Sequence, residues 1–443
     1  MLRDAQVPAN RVHGVLKEHL LVDGYPIVVD LEQSQGSYVR DAVSGRDYLD
    51  FSSFFASNPL GFNHPGMLER DIQKRLARAA TTKVSNADYY TTYMAEFVQT
   101  LARTAAPPEL IHYFFIDTGT LAVENAMKAA FDWKVRKNLA RGKGERGQQI
   151  LHLEHAFHGR SGYALSVTNT DPLKTQFFPK FSWPRIPCPR IRFPCDAAEA
   201  ARVEAAESTA IQAAEQAFDR APDEIAAILI EPIQGEGGDN HFRPEFLRAL
   251  RRLADEREAL LIYDEVQTGL GLTGKWWAYQ HHGIAPDIVC FAKKMQVGGI
   301  LVSGRIDEVP DNVFSVPSRI NSTWGGSLVD MVRCTRLLQL IEDEQLLDNA
   351  ARRGHELRSG LEQIEGRFPG KVSNARGLGL MCALDVPATQ LRNQVIQRCF
   401  ADGMIILACG RNSLRFRPTL TVTAEAIAEG LVHLERALTH VLA

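Results

Sequence analysis

The sequence predicts an α/β fold: a large domain with a mostly parallel sheet sandwiched by helices, joined to a smaller α+β domain built from both chain ends. Three observations predict it. Short apolar runs recur through the middle of the chain, at residues 112–116, 149–153, 226–230, 259–263 and 287–291. Helix-like sequence separates most of them, the rhythm of strand–helix–strand units covered on both faces. The two ends carry different patterns, a hairpin near the start and a long amphipathic stretch near the finish.

Each of the five runs has the length of a buried strand. In such sheets a ligand sits beyond the carboxyl ends of the strands, so the polar residues that follow the runs are the candidates for chemistry. Before them, residues 25–31, 37–42 and 47–51 alternate around a Ser44-Gly45 turn and predict hairpin strands. From about Ser327, apolar Val329, Val332, Leu337, Leu338, Leu340 and Ile341 predict a long amphipathic helix. A strand over 377–384 and a closing helix from Ala424 follow. These patterns divide the chain into 1–48 (first part of the small domain), 49–326 (large domain) and 327–443 (remainder of the small domain). Residues 194–217 look like an Ala/Glu-rich helical insertion.

Bulk properties narrow the function classes. The 443 residues are 45% hydrophobic and 23% charged, and 50 Lys+Arg against 53 Asp+Glu give a formal charge of -3. Nucleic acid and anionic membranes need a concentrated basic field, which this balance does not supply. No apolar run approaches the roughly 18 residues of a membrane span. The sequence opens on polar residues without an apolar signal core, and a cytoplasmic protein is expected. Seven cysteines are scattered without a CxxC pair, so reduced thiols are expected rather than disulfides or structural zinc.

The strongest constellation is Leu261-Ile-Tyr-Asp-Glu-Val-Gln-Thr-Gly269 followed by Pro286-Asp-Ile-Val-Cys-Phe-Ala-Lys-Lys294. Asp264 falls at the exit of one buried strand, where a carboxylate needs a partner, and a pyridinium nitrogen is a fitting one. Lys293 falls at the exit of the next. A desolvated lysine loses its proton readily and becomes a nucleophile toward an aldehyde. For either segment alone an ion pair capping the strands serves as well; the two in this order and spacing favour the chemistry. Strand alternation would put Lys293 and Lys294 on opposite sides.

These segments resemble the class III, ω-amino-acid aminotransferases, whose pattern is a strand, DE-x-QTGxGRTG, then PD-x3-F-[AG]-K. The resemblance runs from about Leu49 to Thr421. It implies the type I fold of pyridoxal-phosphate-dependent transferases, with pyridoxal 5'-phosphate as cofactor held covalently by Lys293, and motif register selects that lysine over Lys294. By match, Asp117-Thr-Gly-Thr120 opens a helix whose Thr118, Gly119 and Thr120 would cradle the cofactor phosphate; a plain N-cap by Thr118 is compatible. In Phe157-His-Gly-Arg160, the resemblance gives Phe157 a stacking role on the cofactor ring, places His158 at the cofactor and has Arg160 hold a substrate carboxylate. A lone Phe is otherwise usually core.

Glu231-Pro-Ile-Gln-Gly-Glu-Gly-Gly238 matches E-P-x-QGE. The resemblance implies Glu231 near the cofactor, Gln267 near its ring hydroxyl, and Glu236 as a gate paired with Arg415. Closed, the pair admits the ω-amine end of a diamino acid; open, Arg415 binds an α-carboxylate. As a surface ion pair alone it would contribute little. Thr323, in Asn321-Ser-Thr-Trp-Gly-Gly326, would reach the phosphate of a partner subunit, and Asn321 would line the substrate site, implying a homodimer with shared active sites. A loop threonine bonded to its own backbone is the alternative.

The chain departs from the family where Lys293-Lys-Met-Gln-Val-Gly-Gly299 replaces K-x-[LI]-[GS]-G-G. That wording, with Leu121-Ala-Val-Glu-Asn125, resembles the lysine 6-aminotransferase branch. The implied reaction moves the ε-amine of L-lysine to a 2-oxo acid, 2-oxoglutarate. An ornithine, acetylornithine or 4-aminobutyrate enzyme, a mutase or lyase of the same fold, and a non-catalytic binding protein stay as rivals. Two other patterns carry less. Gly269-Leu-Gly-Leu-Thr-Gly274 satisfies G-x-G-x-x-G but lacks the strand-to-helix context of a dinucleotide site. His152, His155 and His158 have helical metal-ligand spacing but fall on a strand and a turn, so no metal is expected.

Overall fold

A computed structural model describes residues 7–442. Strands β1 (Tyr38–Arg40) and β2 (Asp47–Asp50) form the N-terminal hairpin. Residues 25–31 make no strand; a single bridge, Val29 to Asp41, is all that remains of the pattern. The central sheet contains β3 (Leu110–Ile116), β4 (Gln149–Leu153), β5 (Arg185–Ile186), β6 (Ile225–Ile230), β7 (Leu260–Asp264), β8 (Ile288–Phe291) and β9 (Gly298–Ser303), in the order β3-β9-β8-β7-β6-β4-β5. The pairings among β5, β4, β6, β7 and β8 are parallel, and only β9 runs against its neighbours.

Side-chain alternation sorts this sheet into two apolar layers. Leu261, Tyr263, Val289 and Leu301 join a cluster with Phe246, Leu247 and Leu250 of the helix Pro244–Glu256. Leu260, Ile262, Ile288, Ile300 and Val302 face the other way, onto Val123, Met127, Ala130 and Trp133 of the helix Gly119–Ala140. Helices therefore cover both faces, as the apolar runs require. Residues 194–217 fall largely on the helix Ala197–Arg220, which buries Val203, Ala210, Ala214 and Phe218.

Strand β9 was not anticipated, because Gly298-Gly299 looks like loop sequence. Its glycines are steric: a Cβ on Gly298 would lie 2.6 Å from the Ile116 carbonyl oxygen, and one on Gly299 2.3 Å from that of Phe114. The C-terminal elements also differ in one respect. Residues 377–384 are two strands rather than one, β10 (Ser373–Leu378) and β11 (Met381–Asp385), reversed at Gly379 with φ +55°. Then come β12 (Met404–Ile405), β13 (Leu407–Cys409) and β14 (Ser413–Phe416). Strand β12 pairs with β2, uniting the two chain ends in one small sheet; β10-β11-β14-β13 form another. The helices Leu328–Asp343 and Ala424–Leu442 begin where the sequence indicated. No helix among the described residues is long and apolar enough to cross a membrane.

Candidate active site

Asp264 is the last residue of β7 and is buried. Its Oδ2 lies 2.8 Å from His158 Nδ1, and its Oδ1 accepts the Val266 N–H at 3.0 Å. The carboxylate thus has a ring N–H and a backbone N–H as supports. His158 is equally buried, and its Nε2 has no partner among the described residues.

Lys293 follows β8 by two residues, in the tight turn Lys293–Met295, with φ +38°. Strand alternation does not separate the two lysines, because both lie past the strand end. Their partners separate them instead. Lys294 is buried and donates to the carbonyls of Gln267 at 2.8 Å and Ala56 at 3.1 Å. Lys293 is half-buried, and its amine has no hydrogen bond or ion pair among the described residues. Burial, with the charge of Arg415, lowers its pKa from 10.5 to about 8, while Asp264, Glu236 and Glu231 pull the other way. These groups share one electrostatic neighbourhood.

Glu231 directly follows β6 and accepts the N–H groups of Phe157 at 3.0 Å and Gly235 at 2.9 Å. Burial raises its pKa to about 7, against the lowering effect of His158. Gln267 stands so close to Gly235 that a Cβ there would lie 2.3 Å from its Oε1, and that oxygen accepts Arg417 Nη2 at 3.2 Å. Glu236 meets Arg415, Nη2 to Oε2, at 3.0 Å. Arg415 is 2% exposed, and its Nε and Nη1 are buried without partners among the described residues. A guanidinium with idle donors is suited to taking an anionic group.

The helix Gly119–Ala140 starts against the same strand ends. A Cβ on Gly119 would lie 2.8 Å from Val266 Cγ1 and 3.3 Å from Ala292 Cβ, next to Asp264 and Lys293 respectively. Thr118 occupies the N-cap position with φ +74°, but its side chain makes no capping bond. Thr120 Oγ1 lies 2.8 Å from Ser161 Oγ. The open backbone N–H groups of this first turn fit a phosphate. Phe157 is half-buried and belongs to neither large apolar cluster.

Arg160, Asn321 and Thr323 are not brought into contact with this group. All three are exposed; Asn321 Oδ1 accepts the neighbouring Ser322 N–H at 2.8 Å, and the Thr323 carbonyl accepts Ser85 Oγ. The Thr323 hydroxyl has no backbone partner among the described residues, so the local-turn alternative is not what the loop adopts. The histidines do not converge on a metal, and no cluster of metal-ligating groups occurs among the described residues. Gly269, Gly271 and Gly274 pack against Trp277, Leu347, Leu420 and Ala351 in a loop that opens no regular α-helix.

Three residues of this neighbourhood were missed. Lys174, at the end of the turn Pro172–Lys174, forms a second ion pair with Glu236; no local motif marks it. Arg417 and Asp239 form a buried pair beside Gln267. Arg417 stands one residue past β14, so strand alternation from Arg415 does not place it, and only its nearness to Arg415 in sequence could have drawn attention to it.

A free amine, a supported carboxylate and a helix start meeting at the carboxyl ends of a mostly parallel sheet define a cofactor-dependent transferase site. The chain belongs to the aminotransferase class-III family, which it matches over residues 22–438. Members of this class depend on pyridoxal phosphate, and the unpartnered amine of Lys293 and the open first turn at Gly119 fit that group. Among curated relatives, the L-lysine-epsilon aminotransferase of Streptomyces clavuligerus is 52% identical over 436 residues, 98% of this chain and 95% of the relative. The mitochondrial 4-aminobutyrate aminotransferase of Homo sapiens is 31% identical over 450 residues, 95% of this chain and 87% of that one. Among solved structures, a lysine aminotransferase from M. tuberculosis in the internal aldimine form has 50% identity and a TM-score of 0.96, covering 98% of this chain and 100% of that one.

Proposed function

We propose that this enzyme transfers the terminal ε-amine of L-lysine to 2-oxoglutarate, giving 2-aminoadipate 6-semialdehyde and L-glutamate. The observation that carries the reading is the half-buried, unpartnered Lys293 amine within reach of the Asp264, Glu231, Glu236 and Arg415 charges. Full-length similarity to L-lysine-epsilon aminotransferases supports the choice of substrate. Bound pyridoxal phosphate would supply an aldehyde carbon and an electron-withdrawing ring.

Thr118, Gly119 and Thr120 would hold the phosphate, Phe157 would stack on the ring, and His158 would orient Asp264 toward the ring nitrogen. Glu231 and Gln267 would border the ring edge. Lys293 would take a proton from the substrate ε-carbon and later return one, acting as general base and then acid. In the first half-reaction Glu236 neutralises Arg415 and the ω-amine end enters. In the second, Arg415 released from Glu236 takes the α-carboxylate of the oxo acid, and Arg160 the distal one. Asn321 and Thr323, exposed in this chain, would serve a partner subunit's site in a homodimer. A cytoplasmic setting, with small-molecule substrates and neither nucleic acid nor membrane as partner, completes the reading.

The test is stopped-flow absorbance of the cofactor-loaded protein on adding L-lysine, then 2-oxoglutarate. Conversion to the aminated cofactor by the first and recovery by the second is the expected result. No response to L-lysine, with a response to ornithine or 4-aminobutyrate, overturns the substrate. Borohydride labelling at a lysine other than Lys293 overturns the site.

A further inference from the structure

Glu236 carries two cations, one on each oxygen. Arg415 Nη2 lies 3.0 Å from Oε2, and Lys174 Nζ pairs with Oε1. The cations differ in setting. Arg415 is 2% exposed, fixed within β14, whereas Lys174 is 27% exposed at the end of a short turn capped by Asp171. The Lys174 ammonium also sits 5.5 Å from the Phe157 ring centroid, so it spans from the gate carboxylate to the aromatic wall of the site. No motif, and no role in the half-reactions above, accounts for a second cation on Glu236.

A gate that opens must put its carboxylate somewhere. Glu236 is itself only 24% exposed, and a partly buried carboxylate that leaves its sole counterion loses much of its compensation. A lysine already on the other oxygen removes that obstacle, and its long, rotatable stem lets the pair move together. We propose that Lys174 is a positioning residue for substrate alternation: it retains Glu236 when the carboxylate leaves Arg415, freeing the guanidinium for the oxo acid without stranding an anion. This rests on the gate reading given above.

The test compares half-reactions in cofactor-loaded K174M, K174Q and K174R, each followed by single-turnover absorbance. With K174M and K174Q, the rate constant for 2-oxoglutarate relative to that for L-lysine falls about ten-fold or more, the scale of losing one charged contact. K174R restores the ratio to within a few-fold of wild type. A lysine that only braces the fold would slow both half-reactions together, and an unchanged ratio in K174M and K174Q overturns the inference. A wild type silent toward L-lysine is a failure of the substrate reading; a responsive wild type with unseparated variants is a failure of this one.

Discussion

Arg417 donates from Nη2 to Asp239 Oδ1 at 2.5 Å, and both side chains are 1% exposed. The same guanidinium group donates to Gln267 Oε1 at 3.2 Å and to the Phe416 carbonyl at 2.8 Å. The pair therefore fastens the end of β14, which carries Arg415, to the loop that carries Glu236. A buried pair adds little over a well-packed apolar replacement, but removing one member leaves a bare buried charge. R417M is expected to destabilise the protein by about 3–5 kcal/mol. Urea unfolding monitored by circular dichroism measures it, and a loss below about 1 kcal/mol would class the pair with exposed ion pairs.

The amine of Lys293 gives a pH signature. Its pKa is lowered from 10.5 to about 8, chiefly by burial and then by Arg415. The folded state thus disfavours the protonated amine. The resulting stability penalty is fully present below about pH 8 and fades as pH rises toward 10.5. Reactivity follows the neutral form, so in cofactor-free protein the initial rate of aldehyde capture at Lys293 rises with pH around a midpoint near 8. Borohydride trapping of pyridoxal phosphate with peptide mass spectrometry reads it. A midpoint near that of an ordinary lysine would remove the argument from desolvation.

What the sequence disclosed followed the range of the forces involved. Strands β4, β6, β7 and β8 were legible because burial on both faces leaves near-continuous apolar runs. Asp264, Lys293, Glu231 and Glu236 stand at or just after such strand ends, so the strands located them. Strand β9 escaped because its glycines answer to carbonyls from other segments, at Ile116 and Phe114. Lys174 escaped for the same reason: it meets Glu236 across 62 positions of chain, and nothing in Asp171-Pro-Leu-Lys174 records that contact. The exposed Asn321 and Thr323 were named only through family resemblance, and a single chain brings them to no partner among the site residues.

Removing the gate carboxylate should change which substrate the enzyme prefers. Glu236 ties up Arg415 Nη2; burial disfavours its charge, but Arg415, Lys174 and Lys293 together outweigh burial and lower its pKa. E236A leaves the guanidinium permanently available to α-carboxylates. The ratio of kcat/KM for L-lysine to that for L-glutamate is expected to fall roughly ten- to hundred-fold, the scale of a charged hydrogen bond. Steady-state assays with each amino donor measure the ratio. An unchanged ratio would mean that the 3.0 Å pair is structural only.

The reversal at Gly379 supplies a prediction independent of the chemistry. Its φ is +55°, and a Cβ there would lie 2.4 Å from the Thr273 carbonyl carbon and 2.6 Å from the Leu272 oxygen. On the other side, a Cβ on Gly354, in the helix Leu346–Arg367, would lie 2.1 Å from the Gly379 backbone. The turn between β10 and β11 is thus held between a helix and the loop after Gly271, backbone against backbone, with no flexible side chain to yield. G379A combines left-handed strain with overpacking, together about 2–4 kcal/mol. G354A carries only the overpacking, about 1–3 kcal/mol. Thermal and urea unfolding of both variants should rank G379A as the more destabilised. The reverse order would show that the helix, rather than the turn, fixes this contact.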